Sequence, residues 1–338
     1  MLGTLAAELP EGPEWCYEPK WDGFRALVFR DGDAVELRSR DDRPLLRYFP
    51  ELEQPIRDAL PEVAVADGEI VVARDGALDF EALQLRLHPA ASRIRKLSGE
   101  IPAALVLWDL LGRGEEDLRA RALSERLAAL DAALAPNETV LRSPCTTDRA
   151  VASDWYHRFQ GAGFDGVMAK RLSDPYQAGK RALVKVKHVR TLDAAVLGFR
   201  WHKTGPGTEV GSLVLGLYDD EGQVHPIGVA SSFTKKERLR LAGELGPLRD
   251  GAEHPWATWE GHERRPDMHS RWNAGRDLSW EPIRSGLVVE VTTTQHNTAR
   301  LRHPAHVVRW RPDRDPASCG LHQLAIGVPA ELSALFER

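Results

Sequence analysis

The most informative segment of this sequence is Tyr17-Glu18-Pro19-Lys20-Trp21-Asp22-Gly23-Phe24-Arg25. It sets a lysine among aromatic rings, acids, a glycine and an arginine. The apolar run at 26–29 predicts a strand, and Asp-Gly-Asp at 31–33 predicts a hairpin turn before the chain returns. We therefore expect Lys20 in the loop just before a strand, where its amine faces a cleft.

Lysine is scarce in this chain, because only nine of the 45 basic residues are lysines and the rest are arginines. An arginine guanidinium keeps its proton, so it does not act as an amine nucleophile. A lysine that persists against this bias is a candidate for chemistry that requires an amine. From this stretch alone, a solvated loop lysine is the simpler interpretation of Lys20. A catalytic role requires that the other residues of a nucleotide site occur later in the sequence.

Composition frames the other possibilities. A chain of 338 residues is long enough for two domains. Its three cysteines, Cys16, Cys145 and Cys319, form no CxxC pair, which favours a reducing compartment over a disulfide framework or a zinc site. No run approaches the roughly 18–20 apolar residues of a membrane span, so we expect a cytoplasmic protein with no membrane partner. The net charge of −5 still permits a local basic groove.

Three strand regions carry polar or flat side chains that suit a ligand. Arg38, Ser39 and Arg40 lie where a strand ends, and two arginines around a hydroxyl can bind a phosphate, although alone this signal is weak and more often marks ordinary surface. Glu69 interrupts an apolar strand region, and a carboxylate there is costly unless it has a partner such as a ribose or a metal ion. Trp108 offers a ring that either stacks on a purine or packs in the core.

Two later segments add an acid and three lysines. Asp165 precedes a turn glycine and a short strand that ends at Lys170. The strand at 182–187 carries Lys185 and Lys187, which share one face because strand side chains alternate. Two scarce lysines at this spacing indicate an anion held against a sheet.

Helices are expected between these strands, and the character of the chain changes after them. The predicted helical regions are 44–60, 80–87 capped by Asp79, 118–134 and 148–161. After residue 187 the segment 191–199 leads into a second domain, where strands are predicted at 210–218, 223–229 and 287–294, around one helix opened by a capping box at 234–237. This order suits a small Greek-key barrel. Four tryptophans are expected in its core or on a platform: Trp256, Trp259, Trp272 and Trp280.

Taken in order, the motifs resemble those of the covalent nucleotidyltransferases. They are Lys20 to Arg25, Asp67-Gly68-Glu69, Trp108-Asp109-Leu110-Leu111, Asp165 to Lys170 and Lys185-Val186-Lys187. Their setting is most similar to the bacterial ATP-dependent DNA ligases of the small stand-alone C type, related to the ligase domain of the bacterial end-joining protein. The resemblance implies an α+β fold: an adenylation (nucleotidyltransferase) domain at 1–188, with antiparallel sheets and flanking helices, then an all-β OB-fold domain at 189–338.

The resemblance also implies a role for each matching residue around the nucleotide. Lys20 would attack the α-phosphorus of ATP and become lysyl-AMP. Trp108 would stack on the adenine, where many relatives carry Phe, and the backbone around Glu18 would read the adenine edge. Arg25 and Glu69 would hold the ribose and phosphate side. Asp22 and Lys170 complete the expected nucleotide site.

Metal, phosphate and DNA contacts follow from the same resemblance. Asp165, where many relatives carry Glu, is expected to bind Mg²⁺ or Mn²⁺ together with Glu69. Lys185 and Lys187 are expected to neutralise the α-phosphate, and Ser39 with Arg40 to contact DNA phosphate near a nick. The last ligase motif resembles residues 309–314, with an arginine in place of the usual final lysine.

Within that last motif, Arg311 and Arg314 are expected to act on the leaving pyrophosphate, which would require the second domain to close during the first step. A basic strip that only faces DNA is the alternative for this stretch. The predicted activity is ATP-dependent sealing of 3′-hydroxyl/5′-phosphate nicks in duplex DNA, in DNA repair, by a monomer that also meets repair proteins. The rivals are an RNA ligase, a GTP-dependent RNA-capping enzyme and a non-catalytic DNA-binding module.

Overall fold

The computed structural model describes residues 1–159, 162–249, 277–284, 286–294 and 300–325. Within these residues the chain forms two compact units, 1–188 and 189–325. The boundary lies at the end of the Lys185–Lys187 motif, and the functional names given to the two units stay predictions. No helix in the described ranges is long and apolar enough to cross a membrane.

Twelve strands are described in the first unit. They are β1 (Gly3–Ala6), β2 (Trp15–Lys20), β3 (Phe24–Asp31), β4 (Ala34–Ser39), β5 (Val63–Val71), β6 (Ala73–Arg74), β7 (Ala77–Leu78), β8 (Ala104–Arg113), β9 (Glu116–Asp117), β10 (Val140–Arg142), β11 (Gly166–Arg171) and β12 (Leu183–Lys187). The predicted hairpin is confirmed, because Asp31 pairs with Ala34 across a two-residue turn.

The helices of this unit are α1 (Glu53–Ala59), α2 (Phe80–Leu85), α3 (Ala91–Glu100), α4 (Leu123–Ala133) and α5 (Arg149–Arg158). The helical region expected at 44–60 forms two short 3-10 turns followed by α1. Asp79 caps α2 as predicted, since its carboxylate accepts the Ala82 N–H at 2.8 Å. Helix α4 begins at Leu123, later than predicted, because the Leu118 N–H still donates to the Leu111 carbonyl of β8 at 2.9 Å. The last two residues of the predicted 148–161 helix lie outside the described ranges.

Two main sheets build the first unit. The four-stranded sheet has the order β1-β12-β11-β2, and the larger sheet has the order β10-β8-β5-β3-β4 with β9 on β8. Most pairs are antiparallel, as predicted, while β1–β12 and β10–β8 are parallel. Asp67, Gly68 and Glu69 lie inside β5 rather than breaking it. Gly68 is required there, because a Cβ at this position would collide with the Val106 carbonyl oxygen of β8.

In its described residues the second unit is a closed barrel with one α-helix. It contains β13 (Arg190–Trp201), β14 (Val210–Tyr218), β15 (Val224–Ala230), α6 (Lys235–Leu245), β16 (Glu281–Pro282), β17 (Val288–Thr293) and β18 (His306–Trp310). The sheet order is β15-β14-β13-β17-β18. A parallel bridge between Ala230 and Ala305 joins the last strand to the third, which closes the barrel. This topology confirms the predicted OB-fold.

The barrel core explains the periodicity seen in the sequence. Alternate residues of β13 and β14, among them Val196 and Leu215, pack inside with Leu241 of α6. The capping box at the start of α6 is confirmed, since Thr234 and Glu237 bond each other's backbone N–H. Trp280 packs over Gly198. The expected roles of Trp256, Trp259 and Trp272 fall outside the described residues.

Candidate active site

Strand register places the basic side chains of the first unit in rows across the four-stranded sheet. In that register the residues opposite one another are Lys20, Gly166 and Lys187 in one row and Glu18, Met168 and Lys185 in the next. Alternate residues of a strand share a face, so these side chains all lie on one face. We call it the lysine face, defined by Glu18, Lys20, Lys185 and Lys187.

Lys20 closes a strand instead of lying in the loop that was predicted. It is the last residue of β2, and the loop to β3 contains only residues 21–23. The reason is its pairing with Gly166 on β11, which extends β2 by one residue. Gly166 has φ 140°, and a Cβ there would collide with the Val186 carbonyl oxygen. No side chain therefore stands between Lys20 and Lys187.

One buried carboxylate joins these two lysines. Asp165 Oδ2 lies 2.5 Å from Lys20 Nζ and 3.2 Å from Lys187 Nζ. The Asp165 N–H donates to the Lys20 carbonyl at 3.1 Å, and its own carbonyl accepts the His188 N–H at 3.1 Å. Hydrogen bonds on both sides thus fix the backbone of Asp165, and its carboxylate holds the Lys20 amine in place.

The third lysine lies in a strongly cationic setting. Partial burial, followed by the charges of Lys187 and Lys20, lowers the pKa of Lys185. Two lysines share one carboxylate beside a third lysine, so positive charge is in excess on this face. Such an arrangement favours a phosphate group.

Glu18 of the lysine face also belongs to a second cluster, with Lys170 and Trp108. Lys170 Nζ lies 2.6 Å from Glu18 Oε2, and both side chains are buried. The same ammonium lies 5.5 Å from the centre of the half-buried Trp108 ring. Burial raises the pKa of Glu18, which Lys170 opposes. Glu18 Oε1 is buried with no hydrogen-bond partner among the described residues.

Glu69 lies near Lys20 at the 21–23 loop. Its Oε1 accepts the Gly23 N–H at 3.2 Å, which anchors the loop that contains Asp22. Burial raises the pKa of Glu69 to about 8. The charge of Lys20 lowers this pKa in part, and the charge of Asp22 raises it further. Gly23 itself is required, because a Cβ would collide with the Ile70 carbonyl oxygen. The raised pKa favours the protonated form of this carboxyl.

Arg25 is opposite Glu69 in the register, but its guanidinium binds other protein groups. Its Nε and Nη2 donate to the two oxygens of Asp67 at 2.9 and 2.5 Å. Nη2 also lies 3.1 Å from the Tyr176 hydroxyl, which donates to Asp67 at 2.9 Å. Sequence reasoning missed the roles of Asp67 and Tyr176. Asp67 belongs to the Asp67-Gly68-Glu69 motif, whereas no sequence pattern marks Tyr176 as a site residue.

A buried ion pair supports the strand that contains Trp108. Arg126 Nε and Nη2 donate to the two oxygens of Asp109 at 2.8 and 3.0 Å, and both side chains are almost fully buried. Arg126 Nη1 also donates to the Asp174 carbonyl at 3.0 Å, which ties in the segment before Tyr176. This pair links α4 to β8 and was not predicted.

Ser39 and Arg40 lie at the end of β4, away from this cluster in sequence. Ser39 Oγ accepts the N–H groups of Asp41 and Arg43 at 3.3 and 3.0 Å, which shapes the turn. The Arg40 side chain is 70% exposed, and its Nε lies 4.0 Å from Asp41 Oδ1. An exposed cation beside a hydroxyl remains compatible with a phosphate contact.

Arg311 and Arg314 belong to a cluster in the second unit. We call it the arginine cluster: Arg309, Arg311 and Arg314 with the acids Asp193, Glu290 and Asp313. Arg311 Nη1 donates to both oxygens of Asp193 at 3.0 Å, and Arg314 Nε lies 3.4 Å from the same carboxylate. The structure therefore pairs both arginines with acids of their own unit, which the sequence did not predict.

A divalent cation would find few protein ligands here. No group of three or more His, Cys, Asp or Glu side chains able to hold a metal occurs in the described ranges. Mg²⁺ is commonly held by one or two carboxylates plus substrate phosphates. Asp165 and Glu69, both near Lys20, fit that kind of site.

Comparison with known families agrees with this geometry. The model described as "ATP dependent DNA ligase domain" matches residues 5–187, and "ATP dependent DNA ligase C terminal region" matches residues 206–314. The first match ends at Lys187, and the second ends at Arg314. The two matches thus cover the lysine face and most of the barrel.

Curated relatives match nearly the whole chain. DNA ligase C of Mycobacterium tuberculosis is 48% identical, over 98% of this chain and 95% of that protein. DNA ligase C2 of Mycolicibacterium smegmatis is 49% identical, over 96% of this chain and 93% of that protein. A solved structure from a study of Lig E DNA ligases shares the fold, with a TM-score of 0.55 at 19% identity over 92% of this chain and all of that one. From these matches, and from the lysine motifs that meet on the four-stranded sheet, the chain belongs to the ATP-dependent DNA ligases.

Proposed function

We propose that this enzyme seals nicks with 3′-hydroxyl and 5′-phosphate ends in duplex DNA, through lysyl-AMP on Lys20 and then a DNA-adenylate. The observation that carries the proposal is the Lys20 amine held 2.5 Å from Asp165 in a cationic setting. An amine poised against a carboxylate, with further cations beside it, suits attack on a phosphorus atom.

The first step requires Lys20 to lose a proton. Asp165 is within hydrogen-bond distance of the amine and is the natural acceptor. The Lys20 nitrogen then forms a bond to the α-phosphorus while the bond to pyrophosphate breaks. Lys185 and Lys187 neutralise the charge that develops on the α-phosphate.

Selection of ATP over GTP is assigned to Glu18 and Trp108. The buried Glu18 Oε1, which has no partner in the described part of the chain, is an acceptor for an exocyclic amine. Adenine presents such an amine, whereas guanine presents a carbonyl oxygen at the same position, which a carboxylate repels. The Trp108 ring beside Lys170 supplies the stacking surface.

The remaining site residues take supporting roles in this proposal. Asp22 and Glu69 contact the ribose side, and Arg25 acts through its bond with Asp67. Asp165 and Glu69 would hold Mg²⁺ or Mn²⁺, which when bound neutralises phosphate charge. Binding of the cation at Glu69 would displace its proton at neutral pH.

In the later steps AMP passes from Lys20 to the 5′-phosphate of the nick, and the 3′-hydroxyl then displaces AMP. Ser39 and Arg40 are proposed to bind the DNA backbone near the nick. We also propose a cytoplasmic monomer that acts in DNA repair with other repair proteins.

One experiment separates this function from its rivals. The protein is incubated with α-labelled ATP or GTP, denatured to detect covalent label, and then supplied with nicked DNA or nicked RNA. We expect label from ATP alone and sealing of nicked DNA. Label from GTP would indicate a capping enzyme, preferential sealing of RNA an RNA ligase, and no covalent label a binding module.

A further inference from the structure

Two acids face each other on neighbouring strands of the barrel. In the strand register Asp193 of β13 is opposite Glu290 of β17, which is opposite Arg309 of β18. Like charges directly opposite destabilise a sheet. Arg309 Nε compensates Glu290 at 2.8 Å, so Asp193 needs a cation of its own.

Arg311 supplies that cation and is fully engaged by doing so. Its Nη1 donates to Asp193, while Nε and Nη2 donate to Asp313 at 3.0 and 2.8 Å. Glu290 lies 3.6 Å away, and the Arg311 side chain is only 16% exposed. Every nitrogen of this guanidinium therefore donates to a carboxylate, which leaves it poorly placed to bind a phosphate.

Arg314 is held differently. Its Nε is buried 3.4 Å from Asp193 Oδ2 and forms an ion pair without a hydrogen bond. Nη1 and Nη2 donate no hydrogen bond to any residue that the structure describes, and the side chain is 38% exposed. The carboxylate thus holds the base of the guanidinium, and the outer nitrogens stay available to an anion.

Asp193 itself is fixed by a side-chain amide. The Asp193 N–H donates to Gln323 Oε1 at 2.9 Å, and Gln323 Nε2 donates to the Asp193 carbonyl at 2.9 Å. These paired bonds lock the backbone of Asp193 and with it the direction of its carboxylate. A fixed carboxylate can orient the guanidinium in front of it, much as outer carboxylates orient metal-binding histidines, and an oriented guanidinium suits phosphate recognition.

We propose that Asp193 is a positioning residue for the formation of lysyl-AMP. It keeps Arg311 in the sheet as a permanent counter-charge and orients Arg314, whose Nη groups bind the leaving pyrophosphate. The inference rests on the proposed ligase function and divides between the two arginines a role that the sequence assigned to both. Because pyrophosphate leaves in the first step, Asp193 affects that step alone.

The test uses Asp193→Asn in the full chain, with Glu244→Gln as a control that also removes a carboxylate paired with an arginine of the same unit. We expect the rate of lysyl-AMP formation to fall by about ten- to one-hundredfold. The KM for ATP should change much less than kcat, and sealing of a pre-adenylated nick should be unchanged. Unchanged sealing also demonstrates that the variant folds.

A second measurement tests whether Asp193 acts through Arg314. In the Arg314→Ala background, Asp193→Asn should cause no further loss of lysyl-AMP formation, because the group that it orients is gone. Equal losses in both backgrounds, or an Asp193→Asn variant that matches wild type, would overturn the inference alone. Wild-type protein that forms no lysyl-AMP would overturn the proposed function, and the inference with it.

Discussion

On the lysine face of the first unit, Lys20 and Lys187 share a single carboxylate, Asp165, whereas in the arginine cluster of the second unit Arg311 alone contacts three acids. The lysine face has more cations than carboxylates, so it attracts an incoming phosphate. The arginine cluster balances three arginines against three acids and stabilises the barrel strands. The number of nearby acids, rather than the presence of cations, therefore decides which basic group is available to a nucleotide.

The largest effect is expected where Lys20 and Lys187 lose the one carboxylate that they share. Asp165→Asn should slow lysyl-AMP formation about one-hundred- to ten-thousandfold, since an amide neither accepts the Lys20 proton nor pairs with the ammonium. Denaturing gels with labelled ATP measure this rate. Asp154→Asn, which also removes an acid paired with a cation, is the matched control. Normal adenylation of the Asp165 variant would exclude it as the proton acceptor.

The next effect concerns base selection by Glu18 of the lysine face. Glu18→Gln should lower the preference for ATP over GTP at least about tenfold, because a glutamine amide also donates to the guanine carbonyl. The rates of adenylation and guanylation are measured on one preparation and compared as a ratio. A general loss caused by breaking the Lys170 ion pair lowers both rates and cancels in that ratio. Glu14→Gln, at an exposed ion pair, is the control. An unchanged ratio would remove Glu18 from base recognition.

A smaller effect is expected from breaking the arginine cluster. Arg311→Ala leaves Asp193 opposite Glu290 without its counter-charge, so the melting temperature should fall by several degrees. Arg240→Ala removes an exposed helical ion pair and should have little effect. Differential scanning calorimetry compares the two variants with wild type. Equal melting temperatures would mean that Arg311 is not needed for barrel stability.

The smallest effect is a pH dependence of stability. Burial raises the pKa of Glu69 from 4.5 to about 8, so the folded protein retains a proton that the unfolded chain releases. The contribution of Glu69 to the free energy of unfolding is greatest below about pH 4.5 and falls as the pH rises towards about 8. Glu69→Gln should remove this decline. Melting curves of both proteins between about pH 5 and 8 test this, and parallel curves would contradict it.

Local patterns in the sequence predict several features of both units. The shared face of Lys185 and Lys187 follows from the two-residue period of a strand, and the capping box at Thr234 marks α6. The α3 helix was not predicted, because it lacks a side-chain cap and buries only Ile94 and Leu97. Such a short apolar stripe is weak evidence for a helix.

Long-range pairings were beyond such patterns. Asp193 lies 118 residues before Arg311 and 130 before Gln323, and no local period connects them. Asp165 was predicted as a metal ligand, yet its bond to Lys20 depends on the register of β2 with β11, which adjacent residues do not specify. Tertiary pairing therefore decides which carboxylate meets which cation.

Lys20 is the proposed nucleophile of the lysine face, and peptide mass spectrometry identifies the adenylated residue directly. Wild-type protein and Lys20→Arg are incubated with ATP and a divalent cation without DNA, then digested. We predict that AMP is attached to the wild-type peptide at Lys20 and to no peptide of the variant, because a guanidinium presents no free amine. AMP on Lys170, Lys185 or Lys187, or normal adenylation of the Lys20→Arg protein, would contradict the account.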